Sequence, residues 1–202
     1  PKKVLIMGGG PAGCEAARVL AIRGHQPVLC EARDTLGGNL IPGGAPDFKE
    51  VDLALVRWYA HELKELNVEV RLNTKMTAAD IQKADFDVLI LATGSVPKRI
   101  PLEGNVLTAE EVLLGKADPG RSTVIVGGGL VGCETALWLR EQGKDVTLVE
   151  TMPKLLAVNG PLCHANSEML EALVPFKGVQ VKCSSTVKSA QPGQVVIGGE
   201  QG

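Results

Sequence analysis

Short apolar runs, each the length of a buried strand, alternate along this chain with longer stretches of helical period. Val4–Met7 reads as a strand, residues 11–23 as a helix ended by Gly24, and Val28–Glu31 as a second strand. Leu36–Pro46 is rich in glycine and proline and has no period, so it reads as a loop. Asp47–Leu66 predicts a long amphipathic helix. Its apolar positions are Val51, Leu55, Trp58, Leu63 and Leu66, which makes Trp58 a core residue. A strand over Val68–Leu72 follows, then a short helix over Thr77–Lys83 capped by Thr77. Phe86–Ala92 is a strongly apolar strand that ends in Thr93-Gly94.

Ser95–Arg121 carries three prolines and one short helix, Ala109–Leu114, and reads as the boundary between domains. The expected division is 1–105, a linker at 106–120, and 121–202. The pattern then restarts with a strand at 123–126, a helix at 131–142 and a strand at 146–150. A loop with Pro153 and Pro161 leads to a helix over Ala165–Leu173, a strand Val179–Lys182 and a short strand Val195–Ile197. Such alternation predicts an α/β fold: two Rossmann-like units with parallel sheets in three layers. The sequence given stops in Gly198-Gly199-Glu200-Gln201-Gly202, before the second unit has its last strands. The expectation is therefore a truncated second unit, part of a longer protein.

The restart is a repeat. Val4–Glu31 and Thr123–Glu150, 119 residues apart, agree without a gap at 12 of 28 positions. Each copy carries G-x-G-x-x-G between a strand and a helix, and each ends its second strand in Glu. In the first, Gly8 permits the tight turn, Gly10 leaves room for a pyrophosphate, and Gly13 lets the helix pack closely on the strand. The N-terminus of the helix that begins at Pro11-Ala12 then offers unpaired N–H groups, of which proline itself has none, and a partial positive charge to the diphosphate. Glu31, 23 residues after Gly8, stands where a carboxylate accepts hydrogen bonds from ribose hydroxyls. The second set is Gly127, Gly129, Leu130, Val131, Gly132 and, again 23 residues on, Glu150. A carboxylate there repels the 2′-phosphate of NADP, and no arginine follows it in Thr151-Met152-Pro153, so this site is expected to take NADH. One such unit holds one adenine dinucleotide; two suggest electron transfer between two of them.

Composition narrows the field further. A net charge of −2 without charged blocks argues against nucleic acid or an anionic membrane surface as partner. No apolar run approaches the ~20 residues that span a bilayer, and Pro1-Lys2-Lys3 leads straight into a strand rather than a signal peptide. Five cysteines, at 14, 30, 133, 163 and 183, show no C-x-x-C spacing, which points to a reducing, cytoplasmic setting and against a zinc site. Cys14 and Cys133 match in the repeat and read as small residues packing helix on sheet. His25, His61 and His164 are scattered, so no metal site is expected. Glu15 and Glu134 match as well, either as helix-start carboxylates or, for Glu134, as a residue beside the nicotinamide.

These residues resemble the two-dinucleotide flavoproteins that include glutathione reductase. Ala32-Arg33 and Leu36-Gly37-Gly38-Asn39 are similar to that family's segment beside the flavin. Ala92-Thr93-Gly94-Ser95 is similar to its second FAD signature. The resemblance implies FAD on the first unit, near Glu31, Ala32, Arg33, Gly38, Asn39, Ala92, Thr93 and Gly94, and NAD(H) on the second. The redox cysteine pair of the disulfide reductases has no counterpart in residues 36–46 or the helix after them. The wording of both loops and ATGSVPKRIP is closer to the C-terminal half of the old-yellow-enzyme-like reductases. That group includes 2,4-dienoyl-CoA reductase, 2-enoate reductase and trimethylamine dehydrogenase.

In that group electrons pass from NAD(P)H to FAD, then through a 4Fe–4S cluster to FMN in a preceding barrel. The barrel, and the Gly-Asp segment that completes the FAD site, are not in this sequence. The implied role is an electron-input module with no catalytic side chain of its own, since hydride transfer relies on the cofactors for its chemistry. Two other readings stay open: a structural ADP-binding module without NADH chemistry, and a flavoprotein like the glutamate synthase small subunit, which would favour NADPH.

Overall fold

The computed structural model describes residues 1–202 apart from 103, 105, 158–162, 192, 200–202 and the side chain of His164. Expectations that touch Pro161 or Glu200-Gln201-Gly202 therefore lie outside the described residues. The chain divides into two compact units, Pro1–Val96 and Pro97–Gly202.

The first unit runs β1 (Lys3–Met7), α1 (Pro11–Ile22), β2 (Gln26–Cys30), α2 (Leu40–Gly43), α3 (Glu50–Glu65), β3 (Glu69–Arg71), α4 (Ala78–Lys83) and β4 (Val88–Leu91). Its sheet is wholly parallel, in the order β3-β2-β1-β4. Ile6 pairs with Leu29 on one side and Ile90 on the other, so β1 lies inside the sheet. Pro11 opens α1 with a φ already suited to a helix and no N–H to leave unpaired. Val4, Ile6 and Leu29 pack against Cys14 and Ala17 of α1 and Tyr59 and Leu63 of α3. Each large apolar side chain buried there stabilises the unit by ~1.5–3 kcal/mol. Thr77 caps α4 as expected, in a reciprocal box with Asp80.

The long helix differs from its expected form in two ways. A 3-10 turn takes up Asp47–Lys49, and α3 begins at Glu50. Its buried residues are Val56, Tyr59 and Leu63, while Val51 is 75% and Trp58 41% exposed. Both stripes have helical spacing, and docking on α1 selects one of them. Trp58 is thus no core residue: its ring lies 5.4 Å beneath the Arg18 guanidinium of α1, a cation–π contact.

The second unit runs α5 (Ala109–Leu113), β5 (Ser122–Val126), α6 (Leu130–Glu141), β6 (Asp145–Val149), α7 (His164–Phe176), β7 (Gln180–Lys182), β8 (Ser185–Gln191) and β9 (Gln194–Gly199). β5, β6 and β7 form a parallel sheet in that order. Residues 106–120, expected to be a linker, contain α5, whose Val112 is buried in the core with Leu137, Leu139 and Leu148. The short strand expected at 195–197 is the middle of β9, which pairs antiparallel with β8. The polar sequence STVKSAQ carries no strand signal for β8; pairing across the connection at Gly193 (φ 77°) creates it. Among the described residues no helix is long and apolar enough to cross a membrane.

Candidate functional site

The first glycine loop joins β1 to α1. Gly8 turns at φ +105°, and its N–H donates to the Cys30 carbonyl at 2.8 Å. A Cβ on Gly8 would lie 2.3 Å from the Ala92 carbonyl oxygen. A Cβ on Gly13 would lie 1.9 Å from the Gly8 carbonyl oxygen, so helix and strand close to backbone contact. The first bond of α1 runs from Cys14 N–H to the Gly10 carbonyl, and Gly10 provides no side-chain cap. The N–H groups of Gly10, Ala12 and Gly13 find no acceptor among the described residues. Three donors at a positive helix end make an anion cradle.

The middle glycine, outside the motif's defining positions, holds this loop together. Gly9 donates its N–H to Glu31 Oε2 at 2.6 Å. Its carbonyl accepts from Gly37 N–H at 2.8 Å and from the Cys14 thiol at 3.3 Å. A Cβ on Gly9 would sit 2.6 Å from Leu36 Cδ2 and 3.1 Å from the Glu31 carboxylate. Glu31 is only 7% exposed, and its Oε1 accepts from Arg33 N–H at 2.8 Å. Each carboxylate oxygen keeps a lone pair for a hydroxyl. Behind it, Glu31 N–H donates to Arg71 and Thr74 N–H donates to Glu31, fixing the backbone from both sides.

The second unit repeats this arrangement. Gly128 N–H donates to Glu150 Oε2 at 2.5 Å, and its carbonyl accepts from Leu156 N–H at 2.8 Å and the Cys133 thiol at 3.5 Å. A Cβ on Gly128 would meet Leu155 Cδ2 at 2.6 Å. Glu150 Oε1 accepts from Met152 N–H at 2.7 Å and the Thr151 hydroxyl at 3.0 Å. Burial pushes the Glu150 carboxyl up, but the N–H groups of Met152 and Gly128 and the Thr151 contacts outweigh it and hold it below the usual carboxylate value. The two loops differ because β1 pairs with β4 as well as β2, whereas among the described strands β5 pairs with β6 alone: Gly127 shares φ +105° with Gly8, yet nothing lies within 4 Å of its Cβ direction.

The remaining expected residues divide into two groups. Ala92, Thr93 and Gly38 close on the first loop; a Cβ on Gly38 would lie 3.0 Å from Gly10 Cα. Ala32 and Arg33 follow Glu31, Gly94 follows Thr93, and Asn39 follows Gly38 at the N-terminus of α2. Leu130, Val131 and Gly132 form the first turn of α6, with Val131 exposed, and Glu134 lies one turn on. Glu15 pairs with Arg18 through two hydrogen bonds, 2.9 and 2.8 Å long, so its position along α1 serves an ion pair. Gly9, Gly128, Leu36, Leu155, Gly37 and Leu156 join the site although the motif does not point to them. The ungapped repeat, carried five residues past Glu31 and Glu150, aligns Leu36 with Leu155 and holds the signal for this second contact. Among the described residues no group of side chains could hold a metal ion, and all five cysteines are free.

The pyridine nucleotide-disulphide oxidoreductase family profile matches residues 2–202. The chain is 53% identical over 188 residues to cinnamate reductase from Clostridium sporogenes, covering 92% of this chain and 28% of that protein. It is 36% identical over 209 residues to an NADH oxidase from Thermoanaerobacter brockii, covering all of this chain and 32% of that one. The solved structure of a 2-naphthoyl-CoA reductase in complex with 2-naphthoyl-CoA superposes with a TM-score of 0.88 at 30% identity, over all of this chain and 31% of that one. The chain thus spans less than a third of the length of these relatives. With its doubled glycine loop and matched residues from end to end, the chain belongs to the pyridine nucleotide-disulphide oxidoreductase family.

Proposed function

We propose that this chain is the electron-input portion of a larger flavin oxidoreductase, in which the first unit holds FAD and the second NADH. The observation that carries this reading is the locked glycine loop, built twice with the same atoms: an uncapped helix start beside a fixed carboxylate. A diphosphate fits the uncapped N–H groups of Gly10, Ala12 and Gly13, because no side chain fills that space. Adenosine ribose hydroxyls fit the free lone pairs of Glu31 and Glu150. In this reading Gly38, Asn39, Ala92, Thr93 and Gly94 line the flavin side of the first site, and Leu130, Val131 and Glu134 line the second. When bound, the two cofactors supply the hydride and electron chemistry, and the protein's residues hold and orient them.

NADH is favoured over NADPH because Glu150 meets the adenosine ribose with a negative charge that its hydrogen bonds stabilise. Relatives about three times as long support a larger parent protein; onward transfer there, through a 4Fe–4S cluster to FMN in a barrel domain, is what the resemblance to the old-yellow-enzyme-like reductases implies.

The test is purified chain mixed with FAD, freed of excess, and titrated anaerobically with NADH. A stoichiometric flavin spectrum that bleaches with NADH is expected. Calorimetry that finds neither FAD nor ADP bound at micromolar concentration would overturn the reading of the first unit. ADP binding without NADH binding would replace the redox role with a structural one.

A further inference from the structure

The dinucleotide motif does not specify what fixes the carbonyl of its middle residue. In both units that carbonyl accepts a thiol, Cys14 on Gly9 at 3.3 Å and Cys133 on Gly128 at 3.5 Å. The two cysteines are 1% and 0% exposed, so water does not compete for the bond. A trans peptide points its C=O and the next N–H in opposite directions. Holding the Gly9 carbonyl toward α1 therefore turns the Gly10 N–H away from Cys14, and Gly10 N–H is one of the donors left without an acceptor. We infer that Cys14 and Cys133 are positioning residues: their thiols orient the middle peptide of each glycine loop so that the next N–H faces the diphosphate.

This inference rests on the dinucleotide reading above, but it has consequences of its own. Burial, aided by the Glu31 charge, pushes the Cys14 thiol up to about 12, and burial with Glu150 does the same for Cys133. Both therefore remain S–H donors at any physiological pH. A residue needed only for its small size would be replaced by alanine without loss, as Ala17 and Ala136 already fill neighbouring fully buried positions on the same helices. A residue needed as a donor would be replaced by serine and not by alanine.

The experiment uses the full chain and its Cys14→Ala, Cys14→Ser, Cys133→Ala and Cys133→Ser variants. ADP and FAD affinity are read for the first pair and NADH affinity for the second, each beside its melting temperature. Alanine is expected to weaken binding about three- to tenfold, the effect of one modest hydrogen bond, and serine to restore it to within about twofold. Alanine variants that bind as tightly as the parent would overturn the inference, and so would serine variants as weak as alanine.

Raman spectra of the nucleotide-free chain are expected to show S–H stretching bands at the low wavenumber of bonded thiols, lost one at a time in the alanine variants; loss of a band at the free-thiol position instead would overturn it. Should the parent chain bind no nucleotide, the dinucleotide reading fails, and these bands still decide whether the thiols hold the loops. Should one alanine variant fail to fold, its serine variant and the other unit's pair supply the answer.

Discussion

Gly37 and Leu156 stand 119 positions apart, at the same place in the two loops, and both have a left-handed backbone, with φ of +113° and 57°. Each donates its N–H to the carbonyl of the middle glycine. One loop meets this demand with glycine, the other with a buried leucine.

For Leu156 two effects compete. The left-handed conformation costs about 1–2 kcal/mol, while burying a leucine side chain returns about 1.5–3 kcal/mol. Burial is the larger, so Leu156→Gly should lower the stability of the second unit by about 1 kcal/mol despite relieving strain. Gly37→Ala should cost more, about 2–3 kcal/mol, since its Cβ would lie 2.7 Å from Val56 Cγ2 and 2.9 Å from Ile41 Cδ1 in a conformation closed to alanine. Urea unfolding, followed separately for each unit, checks both; a stabilised Leu156→Gly variant would refute the ranking.

The middle glycines should prove sensitive too, though less so than Gly13. Gly9→Ala and Gly128→Ala force a methyl against a leucine and the clamped carboxylate. The expected result is an affinity loss of about tenfold or more in the altered unit, with a destabilisation of about 1–3 kcal/mol. Gly13→Ala should be worse, because its contact at 1.9 Å is with backbone that cannot move aside. Calorimetry with ADP on each variant gives the order.

In the proposed function Glu150 sets nucleotide choice, and its depressed carboxyl also bears on acid stability. Its carboxyl is held below its ordinary value of 4.5, so it contributes stability that is present above that value and lost as pH falls through the lower folded value. Glu150→Gln should flatten the acid limb of the second unit's stability profile. Glu150→Ala should weaken NADH and narrow its advantage over NADPH. An unchanged NADH to NADPH ratio in the alanine variant would remove Glu150 from specificity.

The thiols give the alkaline counterpart. For Cys14 and Cys133 the folded value, about 12, exceeds the ordinary 9.0, so their contribution is complete below 9.0 and is lost as pH rises through about 12. Alkaline melts should steepen in that window, and Cys14→Ala should lessen the fall. At neutral pH a thiol reagent should label exposed Cys163 in the native chain and leave Cys14 and Cys133 unlabelled until unfolding.

Much of the architecture is legible in the sequence because it is local. Strand and helix periods, Gly24 after α1 and the Thr77 cap each depend on a few neighbouring residues. The ungapped repeat also pairs Gly9 with Gly128 and Cys14 with Cys133. It does not say why the cysteines match, because a buried thiol reads the same whether it packs or donates. The stripe Val51-Leu55-Trp58 misleads for a related reason: α3 carries two apolar faces, and a period shows that a face exists without showing which one is covered.

The sequence by itself determined the two α/β units, the two glycine loops with an acid 23 residues after each, and the family. Those properties follow from short-range constraints: period, turn chemistry and motif spacing. Tertiary structure decided which face of α3 is buried, that β8 exists and runs antiparallel to β9, and that a carboxylate, a backbone N–H and a thiol lock each middle glycine. Each of these joins residues far apart in sequence, such as Gly9 with Glu31 and Gly37, or Arg18 with Trp58. Such contacts form only when whole elements dock, and no local pattern encodes how they will.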